Sequence, residues 1–298
     1  MPTLYVVATP IGNLEDVTPR ALRALREAQL IAAEDTRTTR KLLAAYAIAT
    51  PLVSFHEHNK KARLPVLLAA LVEKDVALVS EAGMPVISDP GYELVLGAIE
   101  RGHRVVPVPG PSAITAALAV SGLPADQFIF LGFLPRQKGV RARLLAEVAP
   151  QPRTLVAFEA PHRLRDSLED IARVLGDRRT AVCREMTKLY EEVFRGTVRQ
   201  ALDHFQQPRG EFTLVIAGGG PSEGLSRKPP DARERLRALL VEEMPPKEAI
   251  ARVVRETGAR RRDVYRIWVE MRRKGERAGS SRAADGALQS GPCGRAPP

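Results

Sequence analysis

The sequence predicts an α/β protein: two α/β domains followed by a small C-terminal helical appendage. Three observations predict it. Over residues 1–120, short β-branched runs alternate with helical patterns, as in a mostly parallel sheet covered on both faces. A second alternating set follows, with more hairpin character. Beyond a glycine-rich break at Gly218-Gly219-Gly220-Pro221-Ser222-Glu223-Gly224, three helical patterns close the chain.

The elements follow in order. Strands are predicted at Leu4–Ala8, Leu30–Ala33, Pro51–Phe55, Val76–Ser80 and Arg104–Val108. Helices are predicted at Pro19–Ala28, Thr38–Tyr46, Ala62–Lys74 and Glu93–Arg101. Thr18-Pro19 supplies a cap and then a proline at the first helical position, and Gly102 ends the helix that starts at Glu93. Ser121-Gly122-Leu123-Pro124 breaks the pattern. The second set has a strand or hinge at Phe128–Phe133, a basic helix near Lys138–Val148, a strand Thr154–Phe158 and a helix Pro161–Leu175. Strands Thr180–Arg184, Glu191–Arg195 and Phe212–Ala217 and a helix Val198–Phe205 complete it. Ala232–Glu242, Lys247–Glu256 and Arg261–Lys274 read as helices, the last two joined by Thr257-Gly258-Ala259 in the manner of a helix-turn-helix. The expected boundaries are an N-terminal α/β domain at 1–122, a second α/β domain at 123–222, a linker at 223–230, a basic helical domain at 231–274 and a disordered tail at 275–298.

Charge separates these parts. The chain carries a net +10, and residues 227–298 hold 18 Lys and Arg against 10 Asp and Glu. A basic appendage on a nearly neutral body points to a polyanionic partner, RNA before membrane. No run approaches the roughly 18–20 apolar residues that span a bilayer, and Leu4–Ala8 lacks the basic flank of a signal peptide. The two cysteines, Cys183 and Cys293, cannot build a zinc cluster and suit a reducing cytosol, so a cytoplasmic protein without metal is expected. His56-Glu57-His58 offers two imidazoles with no obvious third ligand.

In open α/β sheets, ligands bind beyond the carboxyl ends of the strands. Five such ends carry Thr9–Asp16, Glu34–Arg40, His56–Lys60, Glu81–Gly91 and Pro109–Ala113. Polar, small and turn-forming residues thus collect at one end of the sheet, which predicts a ligand cleft. Glu81–Gly91 sets two glycines in a proline frame, where backbone can approach a ligand closely. Dinucleotide, Walker, zincin and nucleophile-elbow motifs are missing, which disfavours dehydrogenases, NTPases, zinc proteases and esterases. On residues alone the reading is a two-domain α/β enzyme with a basic helical appendage.

The same loops carry a resemblance. Leu4-Tyr5-Val6-Val7-Ala8-Thr9-Pro10-Ile11-Gly12-Asn13-Leu14, Ala33-Glu34-Asp35-Thr36-Arg37 and Ser54-Phe55-His56-Glu57-His58-Asn59 form part of it. Ser80–Gly91, Pro107–Ala113, Phe158–Arg163, Arg184–Lys188 and Gly210–Val215 complete it. Together they resemble the ribosomal RNA small subunit methyltransferase I family, a branch of the tetrapyrrole methylase superfamily, over residues 3–272. The resemblance implies two α/β domains of the tetrapyrrole methylase type with the donor cleft between them. It implies S-adenosylmethionine as methyl donor, and 2′-O-methylation of a cytidine ribose in the decoding region of 16S ribosomal RNA. It also implies a homodimer. The nearly neutral body favours the assembled 30S subunit over bare RNA as substrate.

By resemblance, Pro10 and Gly12 form the first donor loop, and Gly83, Met84 and Pro85 occupy the superfamily's Gly-Asp-Pro loop, Met84 standing where Asp is usual. Glu81, Ala82, Ile87, Ser112, Ala113, Phe158 and Thr213 are further expected donor contacts. Candidate proton acceptors are Glu34, Asp35, His56, Glu57, Asp89, Glu185 and Lys188; of these, Asp35, Glu57 and Glu185 are expected beside the target ribose as the catalytic set. Asn13, Arg37, His56, His58, Asn59, Asp89, Arg163 and Lys188 are expected substrate contacts, with Arg37, Arg163 and Lys188 on phosphate. Arg260, Arg261, Arg262 and Arg266 would add affinity for RNA from the appendage. Two other classes remain open: a methyltransferase for a small tetrapyrrole, and a non-catalytic RNA-binding module.

Overall fold

Leu4, Val7, Ile31, Ala32, Val76 and Leu78 are wholly buried or nearly so. Such near-continuous apolar strands form a sheet covered on both faces. The computed structural model describes residues 2–219, 232–241, 244–257 and 259–272. The chain divides into two units, Met1–Ser222 and Glu223–Pro298. The linker expected at 223–230, the tail expected at 275–298 and Cys293 lie outside the described residues.

The first sheet comprises β1 (Thr3–Val7), β2 (Leu30–Ala33), β3 (Leu52–Ser54), β4 (Val76–Val79) and β5 (Arg104–Val108). Its order is β3-β2-β4-β1-β5, and every pairing is parallel. Four helices connect these strands: α1 (Pro19–Glu27), α2 (Thr36–Ala45), α3 (Lys60–Ala70) and α4 (Tyr92–Glu100). Thr18 caps α1 through the Ala21 amide, and Pro19 opens the helix. One apolar cluster packs Leu25, Leu42 and Leu43 on Val7 and Ile31; another packs Leu67, Leu71 and Leu94 on Leu4 and Leu78. With both faces sealed, the strand ends are left for ligand.

The helix α5 (Ala113–Ser121) is absent from the sequence reading. Ala-Ile-Thr-Ala-Ala-Leu-Ala-Val-Ser is apolar nearly all round, so no stripe of period 3.6 reveals it. It follows the first sheet in the chain but packs on the second, where Ala117 and Leu118 meet Val156, Ala181, Cys183 and Val215. Gly122, at φ 72°, supplies the left-handed residue that ends it.

The second sheet comprises β6 (Phe128–Phe133), β7 (Thr154–Glu159), β8 (Arg179–Arg184), β9 (Glu192–Thr197) and β10 (Phe212–Ile216), in the order β6-β7-β10-β8-β9. Only β6 and β7 are parallel; the other pairings are antiparallel, with β8 and β9 a hairpin. Opposite α5, the sheet is covered by α6 (Lys138–Val148), α7 (Leu164–Leu175) and α8 (Val198–His204). The buried Arg141 of α6 pairs with Asp170 of α7 at 2.6 Å, and Arg173 pairs with the same carboxylate at 2.6 Å. This is the two-sheet α/β architecture expected for the body.

In the second unit, α9 (Ala232–Val241), α10 (Pro246–Thr257) and a helix over residues 261–272, α11, share a small core of Leu236, Leu239, Ala249, Ile250, Val253 and Val264. Arg261, Arg262, Tyr265 and Arg266 are exposed along α11. Among the described residues no helix is long and apolar enough to cross a membrane.

Candidate active-site cleft

Loops from both sheets line one cavity of 880 Å³ within the first unit, a size that suits a nucleoside-bearing ligand. On the first-sheet side, Thr9 after β1 and Gly83 after β4 bridge each other through paired backbone hydrogen bonds of 2.9 and 3.0 Å. Gly83 sits at φ 78°, a conformation glycine adopts without strain. Gly110 lies so close to β1 that a Cβ there would stand 2.9 Å from the Ala8 Cβ. Backbone therefore forms much of this wall.

Two apolar residues are presented by strained backbone. Val86 and Ser88, at φ 77° and 68°, flank Ile87; Glu185 and Thr187, at φ 49° and 67°, flank Met186. Ile87 and Met186 both line the cavity. Non-glycine residues held left-handed cost on the order of 1–3 kcal/mol each and persist where the surroundings demand them. On the second-sheet side, Phe158 of β7 packs its ring 5.0 Å from Phe130 and 5.4 Å from Phe133, and all three face the cavity. Thr213 of β10 lies between Phe158 and Cys183 in register. The first turn of α5 lines the cavity at Ser112, Ala113, Ile114 and Thr115, and the Ser112 side chain does not cap it. Its amides are available as donors there.

The acidic groups divide sharply. Glu34, Glu81 and Asp89 line the cavity and make no ion pair among the described residues. The Glu34 carboxylate accepts from the Glu81 amide at 3.2 Å. Burial, then the carboxylates Asp35, Glu34 and Glu211, push the Glu81 pKa up, while Lys188 opposes them. Burial pushes Asp89 up to about 7, helped by Glu34 and Glu81 and opposed by the Ser80 hydroxyl. Of the other two acidic residues in the lining, Glu211 pairs with Lys188 at 3.0 Å, and Glu159 is fully buried and satisfied: it pairs with Arg163 at 2.6 Å and accepts from the Ala160 amide and the Ser167 hydroxyl.

The expected catalytic carboxylates lie away from the lining. Asp35 caps α2, accepting from the amides of Arg37 at 2.6 Å and Thr38 at 3.3 Å, and the Arg37 amide bond leads the fall in its pKa. Glu57 pairs with Lys60 at 2.9 Å. Glu185 pairs with Lys188 at 3.0 Å and accepts from the Glu211 amide at 2.9 Å. Burial alone would raise the Glu185 pKa, but these two bonds outweigh it and the pKa falls.

Of the expected donor contacts, Glu81, Ala82, Gly83, Met84, Ile87, Ser112, Ala113, Phe158 and Thr213 line the cavity. Pro10 and Gly12 do not, though Ile11 between them does. Gly12 instead abuts the β8–β9 hairpin: a Cβ there would collide with Lys188, and the Asn13 amide donates to Thr187 Oγ1 at 3.1 Å. Asp89 alone of the expected substrate contacts lines the cavity. Arg37 and His58 are exposed, and His56 is half-buried with its Nδ1 unpartnered. Asn59 braces its own loop, accepting from the His56 amide at 2.8 Å and donating to Ser54 Oγ at 3.0 Å. Arg163 is tied to Glu159 and the Leu134 carbonyl, and Lys188 to Glu185 and Glu211. Phe130, Phe133, Met186 and Glu211 complete walls that the sequence reading did not single out. Met186 and Glu211 lay within the motifs Arg184–Lys188 and Gly210–Val215, whereas Phe130 and Phe133 reach Phe158 only through the pairing of β6 with β7.

Comparison with known proteins agrees with this geometry. Residues 3–202 match the family model of the Tetrapyrrole (Corrin/Porphyrin) Methylases. Uroporphyrin-III-C-methyltransferase from Thermus thermophilus superposes with a TM-score of 0.55 at 22% identity, covering 73% of this chain and 94% of that one. Diphthine synthase does so with a TM-score of 0.56 at 16% identity, covering 72% and 90%. At such identities these likenesses establish the fold alone, and the fold with its cleft is that of a tetrapyrrole methylase.

Residues 227–272 match a second model, the RsmI C-terminal HTH domain. A protein of Halalkalibacterium halodurans named ribosomal RNA small subunit methyltransferase I is 50% identical over 275 residues, 89% of this chain and 94% of its own length. Its namesake in Thermotoga maritima is 54% identical over 221 residues, 73% of this chain and 99% of its own length. The chain belongs to the ribosomal RNA small subunit methyltransferase I family.

Proposed function

We propose that this protein transfers a methyl group from S-adenosylmethionine to the 2′-oxygen of a cytidine ribose in the decoding region of 16S ribosomal RNA. The observation that carries the reading is the 880 Å³ cleft, whose apolar walls and unpaired carboxylates belong to a chain about half identical to relatives named for ribosomal RNA methylation. The cleft fits the donor chemically. Gly83 and Gly110 let backbone approach a ligand, Ile11, Ile87 and Phe158 offer apolar walls to an adenosine, and the first turn of α5 offers amides to a carboxylate. Glu34, Glu81 and Asp89 place negative charge where a cationic sulfur would need it. Bound there, the donor would supply an activated methyl on a positively charged sulfonium.

The chain's own contribution is mainly positioning, since oxygen, carbon and sulfur must align. We assign Ile87 and Met186, fixed by their strained neighbours, to hold the donor against the wall. Exposed Arg37 and His58 serve as outer contacts for RNA, while Asn13, Asn59, Arg163 and Lys188 hold the loops that form the rim. The assembled 30S subunit is the preferred substrate, because the net positive charge is concentrated in residues 227–298. A homodimer acting in the cytoplasm completes the proposal.

The test is methyl transfer from labelled S-adenosylmethionine to purified small subunits that lack the modification, with mapping of the product. Label on one cytidine ribose is the expected result. Donor binding without label on subunits or on free ribosomal RNA would move the acceptor to a small molecule.

A further inference from the structure

The second-sheet wall of the cleft carries one ring that a regular strand would not put there. In a regular strand, residues three apart point to opposite faces. Phe130 and Phe133 of β6 nonetheless both line the cavity, and both rings lie against that of Phe158, at 5.0 and 5.4 Å. The cause is a bulge. Phe130 pairs with Val156 and Phe133 with Phe158, so β6 takes one residue more than β7 between the two pairings. Gly132, at φ 66°, supplies the left-handed step. Bulges are rare between parallel strands, and beside functional sites they re-aim a side chain.

The re-aimed ring has a firm mount. The Leu134 amide donates to the Phe158 carbonyl at 3.3 Å, and the Leu134 side chain is buried. The carbonyls of Leu134 and Pro135 accept from Arg163 at 2.9 Å and from Arg141 at 3.3 Å. Phe133 itself is 55% exposed, whereas Phe130 and Phe158 are half-buried. The three rings therefore form a wall that runs from the cavity interior to solvent, with Phe133 at its outer end. Just beyond it in the chain, Arg136 and Lys138 are exposed, and their side chains have no partner among the described residues. An aromatic ring open to water beside free cations is the combination that unpaired nucleotides use: the base stacks on the ring and the phosphate meets the cation.

We propose that Phe133 seats the base of the target nucleotide, stacked on its open face, with Arg136 and Lys138 meeting the flanking phosphates. The inference rests on the methyl-transfer reading above. The chemistry of the acceptor sets the place. The carbon that bears the 2′-hydroxyl is bonded to the carbon that bears the base. A hydroxyl brought to a methyl inside the cavity therefore carries its base to the mouth. The base gives up its stacking in the RNA there, and the open ring replaces it. Phe158, deeper in the wall, stays with the donor.

The test is a double-mutant cycle between the ring and the base. Small subunits are assembled with 16S RNA whose target cytidine is either intact or replaced by an abasic residue that keeps its 2′-hydroxyl. Single-turnover transfer from labelled S-adenosylmethionine is measured at limiting subunit concentration. On intact RNA, Phe133→Leu should slow transfer roughly 5- to 150-fold, the span of one base–aromatic stack, and Phe133→Tyr should keep the wild-type rate. On abasic RNA, wild type and Phe133→Leu should be equally slow. Calorimetry should give all three proteins the same affinity for S-adenosylhomocysteine. Penalties that add in the cycle overturn the assignment, and so does a Phe133→Tyr enzyme as slow as Phe133→Leu. Loss of S-adenosylhomocysteine affinity in a folded Phe133→Leu would also overturn it, by moving the ring to the donor. If Phe133→Leu does not fold, the wild type decides alone: equal rates on intact and abasic RNA overturn the assignment. A wild type that binds donor but methylates no RNA overturns the parent reading and the inference together.

Discussion

Gly110 shows how little latitude the cleft wall has. Its missing side chain is what allows the loop after β5 to close on Ala8. Gly110→Ala should cost about 1–3 kcal/mol, as overpacking does in a filled interior, and should weaken S-adenosylmethionine binding measured by calorimetry. A thermal midpoint and donor affinity equal to wild type would show that the loop can relax. At this scale the sequence displays residue types but not their partners. Glu81, Gly83, Ile87 and Ser112 stand at strand ends and could be read as cleft residues from chain position alone. The engagement of Glu185 with Lys188 and the Glu211 amide depends on β8 pairing with β10. That pairing joins residues 28 to 36 positions apart, from Phe212 with Arg184 to Ile216 with Thr180, and no local pattern announces it. Asp35 is instructive in another way: an Asp just before a helix is a cap by default, and its side chain does cap α2.

Among elements, α6 and α7 are joined by a buried ion pair, and that pair is an electrostatic liability. Arg141 is 4% exposed and Asp170 is 2% exposed at the side chain. Removing one member of such a pair leaves an uncompensated charge and costs about 3–5 kcal/mol. Asp170→Asn should lower stability by that order at pH 7 in denaturant unfolding. Burial would raise the Asp170 pKa, but the bonds from Arg173 and Arg141 outweigh it, so the folded value lies below the ordinary 3.8. Its contribution is therefore complete above the unfolded value and is lost as pH falls through the folded one. The difference between wild type and Asp170→Asn should narrow below pH 4; a constant difference down to pH 2 would contradict this account. The alternation of strands and helices was legible because period 2 and period 3.6 differ so plainly. The helix α5 was not, because a helix apolar on every side carries no period.

For the whole molecule, the two units divide the work. The body holds the cleft, and residues 227–298 carry most of the net charge. The Thermotoga maritima relative matches this chain over 99% of its own length while covering 73% of this one, so about a quarter of this chain has no counterpart there. Deleting residues 227–298 should thus leave S-adenosylmethionine binding intact, weaken binding to small subunits and flatten the dependence of that binding on salt, because fewer phosphates are neutralised. Filter binding at two or more ionic strengths reads both effects; an unchanged salt slope would assign the appendage a role other than phosphate contact.

The order β6-β7-β10-β8-β9 puts the last strand of the body at its centre. During synthesis, β7 and β8 must wait for Phe212–Ile216 to emerge before either has its inner neighbour, and α5 waits with them for the face it covers. Between Ser121 and Phe212, with about 5–20 residues made per second, the apolar α5 lacks part of its face, and the inner edges of β7 and β8 stand open from the moment each strand emerges. The first sheet has a delay of the same kind, since β1 gains no neighbour until β4 emerges at Val76, and it is complete at Val108. The nascent chain therefore passes through two successive windows of open strand edges, the first closed by β4 and β5 and the second by β10.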